Sequence, residues 1–92
     1  MQQDVAEVIA AKALAWLTGK DGHLAVFLGA SGLAVNDVAA QAGEPEFLAS
    51  VLDFVLMDDE WVKGFCDAAE IGYDQPMKAR AALPGGGEVH WT

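Results

Sequence analysis

Residues 32–60 read GLAVNDVAAQAGEPEFLASVLDFVLMDDE, and the fold turns on how the second half of that stretch is read. A glycine, a short run of small residues, a second glycine and a longer apolar run give the outline of a helix-turn-helix. The longer run opens with Pro45, which suits a first helical turn because its missing N–H has no intrahelical partner there. Phe47, Leu48, Val51, Leu52, Phe54, Val55 and Leu56 then cover most of the circumference, and only Glu46, Ser50 and Asp53 interrupt them, on one strip. A helix apolar nearly all round belongs at the centre of a bundle. The stretch therefore reads as the core of a helical domain rather than as a probe for a DNA groove.

Helix punctuation recurs on both sides of it. Residues 4–19, DVAEVIAAKALAWLTG, open with Asp4 and Glu7 at capping-box spacing. The 3–4 spacing of Val5, Val8, Ile9, Ala13, Trp16 and Leu17 predicts the inner face, with Gly19 as the stop. Residues 21–32, DGHLAVFLGASG, predict a short helix capped by Asp21, with Leu24, Phe27 and Leu28 inward and its end at Gly29 or Gly32. Residues 35–43, VNDVAAQAG, predict a third helix capped by Asn36, with Val38 and Ala42 inward. Residues 58–72, DDEWVKGFCDAAEIG, place acids in a first turn, where the helix dipole favours them. Trp61, Val62, Phe65, Cys66 and Ala69 form the expected inner face, and Gly72 the expected end. Residues 74–86, DQPMKARAALPGG, predict a last helix, with Asp74 near its cap, Pro76 in its first turn and Pro84 beyond its end.

No run alternates with period two among β-branched residues, and no heptad repeat persists. The expected fold is all-α, a compact orthogonal bundle of five to six short helices over residues 1–84, followed by a Gly-rich C-terminal tail over 85–92 whose Trp91 either folds back or anchors a partner. The length of 92 residues suits one domain. Hydrophobic residues make up 53%. The 17 alanines account for much of that excess as helix-forming filler, and the rest leaves room for self-association.

The order of the elements and their letters resemble a known family. ALAWLTGKDGHLAVFLGASGLAVNDVAAQAGEPEFLASVLDFVLMDDEWVKGFCDAAEI followed by ARAALPGG is similar to a family of small alphaproteobacterial proteins, domain-of-unknown-function family 3572. The resemblance covers about residues 13–86. It rests on a Leu-rich first helix, a short Phe-Leu helix, SGL with an acid soon after, FLASVLDFVL with an acidic run behind it, and a closing LPGG. It implies an all-α fold and a bacterial cytoplasmic setting. It implies no activity, so no catalytic residue is carried over.

Charge restricts the partners. Net charge is −9, and residues 44–74 hold nine acids against Lys63 alone, a net −8. No Lys or Arg occurs between Lys20 and Lys63, a window with eight acids. A DNA reader needs cations for phosphates and Arg, Asn or Gln for base edges, so no nucleic acid is expected as a partner. Uncharged apolar runs fall short of a span, and the N-terminus lacks the basic region of a secretory leader. No membrane association is expected. A lone cysteine, Cys66, suits a reducing compartment and a cytoplasmic setting.

The chemistry-bearing residues form no recognisable constellation. Asp58, Asp59 and Glu60, with Asp67 further along the helix, offer carboxylates to a divalent cation but lack the loop spacing of an EF-hand. Capping and solubility are the favoured account of them. His23, Cys66 and His90 lie on three separate segments, without the paired spacings of a zinc site. Cys66 falls on an inner face, where a thiol is inert. No phosphate loop, nucleophile elbow or dinucleotide fingerprint occurs, so no metal or cofactor is expected. The expected function is a non-enzymatic interaction domain for a basic protein partner, with Asp58, Asp59, Glu60, Asp67 and Trp91 as contact residues. The alternative is a small enzyme or metal-linked regulator using Asp58, Asp59, Asp67 or His23.

Overall fold

A computed structural model describes residues 1–19 and 22–84 of the chain. It contains α1 (Gln3–Gly19), α2 (His23–Ser31), α3 (Val35–Gln41), α4 (Pro45–Leu56), α5 (Asp59–Ala69) and α6 (Gln75–Ala81). No strand occurs among the described residues. The fold is all-α. The expected cap Asp21 and the tail with His90 and Trp91 lie outside the described residues.

The apolar circumference of α4 is used as its pattern predicts. It lies against α1, α5 and α6, and Phe47, Leu48, Ala49, Val51, Leu52 and Val55 are buried. Glu46, Ser50 and Asp53 form the exposed strip. Each large apolar side chain removed from water contributes about 1.5–3 kcal/mol, so this helix holds the largest share of the core. The second helix of the helix-turn-helix outline is thus the centre of the bundle, with Phe47 and Leu48 packed inward.

α1 packs with a different face from the one its larger side chains suggest. Val5 is 47% and Val8 54% exposed, whereas Ala6, Ala10 and Ala13 are fully buried beside Ile9 and Leu17. The helix meets α4 and α6 along this alanine stripe. Interaxial distance depends on the side chains at the contact, and small ones let three helices approach closely. Asp4 and Glu7 form no capping box. Asp4 accepts a hydrogen bond from the Val5 N–H at 2.9 Å, and Glu7 accepts one from the Gln3 side chain at 3.0 Å.

The helix ends show which local signals were decisive. Gly32 ends α2 in the left-handed region at φ 78°, where its N–H bonds the Leu28 carbonyl at 2.9 Å. The chain then turns by 86° between α2 and α3. α3 is not capped by Asn36, which lies inside the helix. Ala34 holds the cap position, and the Asp37 carboxylate accepts its N–H at 3.0 Å, the return half of a capping box. Asp58 caps α5 by accepting the Glu60 N–H at 2.9 Å. That helix ends before the expected Gly72. Glu70 adopts the left-handed conformation at φ 59° and bonds its N–H to the Cys66 carbonyl. Pro45 and Pro76 both occupy first turns. Arg80 of α6 reaches back to α4, where its Nε donates to Asp53 Oδ1 at 2.6 Å, and its terminal nitrogen donates to the Pro84 carbonyl at 3.1 Å.

Candidate docking surface

The sharp connection at Met57 and Asp58 brings the end of α4 and the start of α5 alongside α2. Met57 is 79% exposed although it is a large apolar side chain. Around it lie two neighbouring hollows that share Phe54 and Met57. One, of about 240 Å³, is lined by Val26, Phe54, Met57, Asp58 and Trp61. The other, of about 260 Å³, is lined by Phe27, Ala30, Ser31, Ser50, Asp53, Phe54 and Met57. Together they form a short apolar groove, with Asp58 lining the first hollow and Asp53, paired with Arg80, lining the second. Val26 is itself 54% exposed.

Rings stiffen the groove from below. Phe54 meets Trp61 edge to face, with centroids 5.1 Å apart and planes at 78°, and meets Phe27 at 5.2 Å. His23 stacks on Trp61 at 4.1 Å and 8°. Trp16 stands edge-on to Trp61 at 6.0 Å and to His23 at 5.2 Å. Such pairs each add about 0.5–1.5 kcal/mol beyond area burial. Trp16 and Trp61 are half-buried and packed against the core. Trp16 rests over Gly64 of α5, where an added Cβ would come within 3.0 Å of its Cζ2. Among the described residues, its buried indole Nε1 has no hydrogen-bond partner, a desolvation cost on the order of 1–3 kcal/mol.

The acids singled out in the sequence are not brought together. Asp58 lines the groove, and one of its oxygens caps α5. Asp59 faces a different hollow, with Leu56, Val62, Lys63, Tyr73 and Met77. Glu60 lies 3.9 Å from Lys63, and both are well exposed, a pair worth about 0–1 kcal/mol. Asp67 sits more than two turns further along α5, about 13 Å from Asp58 by helical rise, and accepts a hydrogen bond from the Tyr73 hydroxyl at 2.9 Å. That bond, with the Asp67 charge, pushes the Tyr73 hydroxyl above the usual phenol range. Among the described residues, no group of three or more His, Cys, Asp or Glu is placed to hold a metal ion. Trp91 lies outside them.

Cys66 is fully buried and free, and its thiol lies 3.5 Å from the Gly72 carbonyl. Burial, helped by the charges of Asp67 and Asp74, pushes the thiol above its ordinary range. A protonated, buried thiol is a poor nucleophile. Asp74, by contrast, is held below the usual carboxylate range by the Lys78 ammonium, which lies 2.9 Å away.

Val26, Met57 and Gly64 are surface-building residues that periodicity does not single out. Their importance depends on α2 meeting the α4–α5 corner, a long-range fact. One local signal did exist, a glycine in the middle of an amphipathic helix, which often marks close approach of a neighbour.

A family model described as "Protein of unknown function (DUF3572)" matches residues 3–86. The chain belongs to this family. No curated protein and no solved structure matches it. Membership in DUF3572 carries no assigned chemistry, so the surface must be judged by its own side chains. Among the described residues, no single helix is long and apolar enough to cross a membrane.

Proposed function

We propose that this DUF3572 chain is a non-enzymatic interaction domain that docks a basic protein partner over the Val26–Phe54–Met57–Trp61 groove. The observation that carries this reading is Met57, a large apolar residue 79% exposed between two apolar hollows and flanked by Asp53 and Asp58. An exposed apolar patch with a polar rim is the usual mark of a partner site. Hollows of about 240 and 260 Å³ have the size to take side chains of a partner. A larger one of about 390 Å³ is lined by Lys12, Ala15, Trp16, Phe65, Ala68 and Ala69. Its single ionisable group offers no acid–base pair.

Charge favours a basic partner over a second copy of the chain. Two copies would each bring a net −9 and the same carboxylate rim to the interface, and like charges across an interface disfavour association. The same charge opposes a nucleic-acid backbone. A cytoplasmic setting fits the free, buried cysteine.

Affinity capture with the full chain tests the reading. The comparison is between Met57→Glu and Val8→Glu, both at exposed apolar positions. A partner retained at low salt, released at high salt, lost with Met57→Glu and kept with Val8→Glu supports the reading. Capture that ignores Met57→Glu contradicts it.

A further inference from the structure

We propose that the Val26–Phe54–Met57–Asp58–Trp61 hollow is a side-chain pocket for an arginine of the partner, with the neighbouring hollow taking an apolar side chain beside it. This inference rests on the interaction reading above and names the chemistry of its anchor.

The walls carry the argument. Phe54 and Trp61 both line this hollow, held edge to face at 78°, with His23 stacked on one face of Trp61, so the remaining aromatic surface is fixed in place. A guanidinium is flat, weakly hydrated and attracted to aromatic faces. Met57 supplies a flexible, polarisable wall that adapts to a side-chain stem. Asp58 stands at the rim. One of its oxygens accepts the Glu60 N–H, and the other has no partner among the described residues, so it can accept an N–H of the guanidinium as a charge-assisted bond. A purely apolar occupant would bury this carboxylate without compensation, which is costly. A carboxylate-bearing occupant would be repelled by it. Lysine would meet the charge but gain less from the aromatic lining.

The neighbouring hollow differs in a way that assigns it another occupant. Its acid, Asp53, already accepts a hydrogen bond from Arg80 at 2.6 Å. A second cation there would compete with Arg80. Phe27, Ala30, Phe54 and Met57 instead offer apolar surface. The partner segment therefore presents an arginine and an apolar residue side by side, as one face of an amphipathic helix does.

The test is a nuclear magnetic resonance titration of the full chain with N-acetyl-arginine methylamide, against N-acetyl-citrulline methylamide as a neutral isostere. Saturable shifts at the Trp61 indole, the Phe54 ring and the Met57 methyl with the arginine probe are expected. The citrulline probe should bind about tenfold more weakly, the scale of one charge-assisted bond at a half-exposed site. Asp58→Asn should reproduce that loss while keeping α5 intact, since asparagine caps as well as aspartate. Asp59→Asn makes the same charge change one residue away, outside the hollow, and should change affinity less than about twofold. Equal binding of the two probes, or equal losses from Asp58→Asn and Asp59→Asn, would overturn the pocket assignment. If salt-sensitive, Met57-dependent capture still occurs, the interaction reading stands without its arginine anchor. Loss of that capture removes both.

Discussion

The same substitution, glycine to alanine, should have opposite signs at two helical positions of this protein. Gly29 lies in α2 with nothing within 4 Å of an added Cβ, whereas at Gly64 in α5 that Cβ would meet Trp16 Cζ2 at 3.0 Å. Alanine gains up to about 1 kcal/mol over glycine in a helix, and Gly29→Ala should keep most of it. At Gly64 the gain is opposed by overpacking, which costs about 1–3 kcal/mol when neighbours cannot move. Trp16 is flanked by His23, Trp61 and Phe65 at centroid distances of 5.2, 6.0 and 6.1 Å, so retreat toward those rings is blocked and any give is toward the hollow of about 390 Å³ that it lines. Gly64→Ala should therefore lose about 1 kcal/mol net. In a chain this size that lowers the unfolding midpoint by about 4–8 °C, while Gly29→Ala raises it by up to a similar amount. Thermal melts followed by circular dichroism measure both. A double-mutant cycle isolates the cause, because Trp16→Leu should abolish most of the Gly64→Ala penalty. A Gly64→Ala protein as stabilised as Gly29→Ala would refute the close seating of Trp16 on α5, and with it the rigid ring cluster beneath the groove.

Three further outcomes follow from the packing. Leu52 is fully buried, so Leu52→Ala should cost about 2–5 kcal/mol through the cavity it leaves; a urea melt with an unchanged midpoint would contradict the central place of α4. Glu70 holds a left-handed conformation at φ 59°, so Glu70→Gly should stabilise by roughly 0.5–1 kcal/mol by relieving it, and a loss of stability in the same melt would count against that strain. The Cys66 thiol is held above its ordinary range by burial and then by Asp67 and Asp74. The folded state thus favours the neutral thiol, and its contribution is complete below the unfolded thiol value and lost as pH rises through the folded one. Stability should fall more steeply in the alkaline range for the wild-type chain than for Cys66→Ala, and equal pH slopes would refute the assignment.

The parts of the fold legible in the sequence are those set by local chemistry or by an unambiguous pattern. The apolar circumference of residues 47–56 places α4 at the centre, Gly32 stops α2, and Pro45 and Pro76 open helices, because each effect acts within a turn or two. The inner face of α1 is not legible from the size of its side chains. Val5 and Val8 are expected inside on that basis, yet the close approach of α4 and α6 selects Ala6, Ala10 and Ala13. Asn36 and Gly72 have the right residue types for helix ends, but Ala34 with Asp37, and Glu70, satisfy the backbone one or two residues away. The acidic run is visible as composition, while its division is not. Asp58 reaches the groove, Asp59 another hollow, and Asp67 the Tyr73 hydroxyl. That division depends on helix rotation and on which neighbours arrive, as does the exposure of Met57.

The claim that the groove at the α4–α5 corner is a docking surface is tested most directly by site-specific photocrosslinking in living cells. A photoreactive residue at position 57 is compared with one at position 8, since both positions are exposed and apolar but only the first lies between the acid-flanked hollows. A discrete adduct formed from position 57, absent from position 8 and abolished by Val26→Glu, is the predicted result. Equal adducts from both positions, or an adduct from position 8 alone, would contradict it.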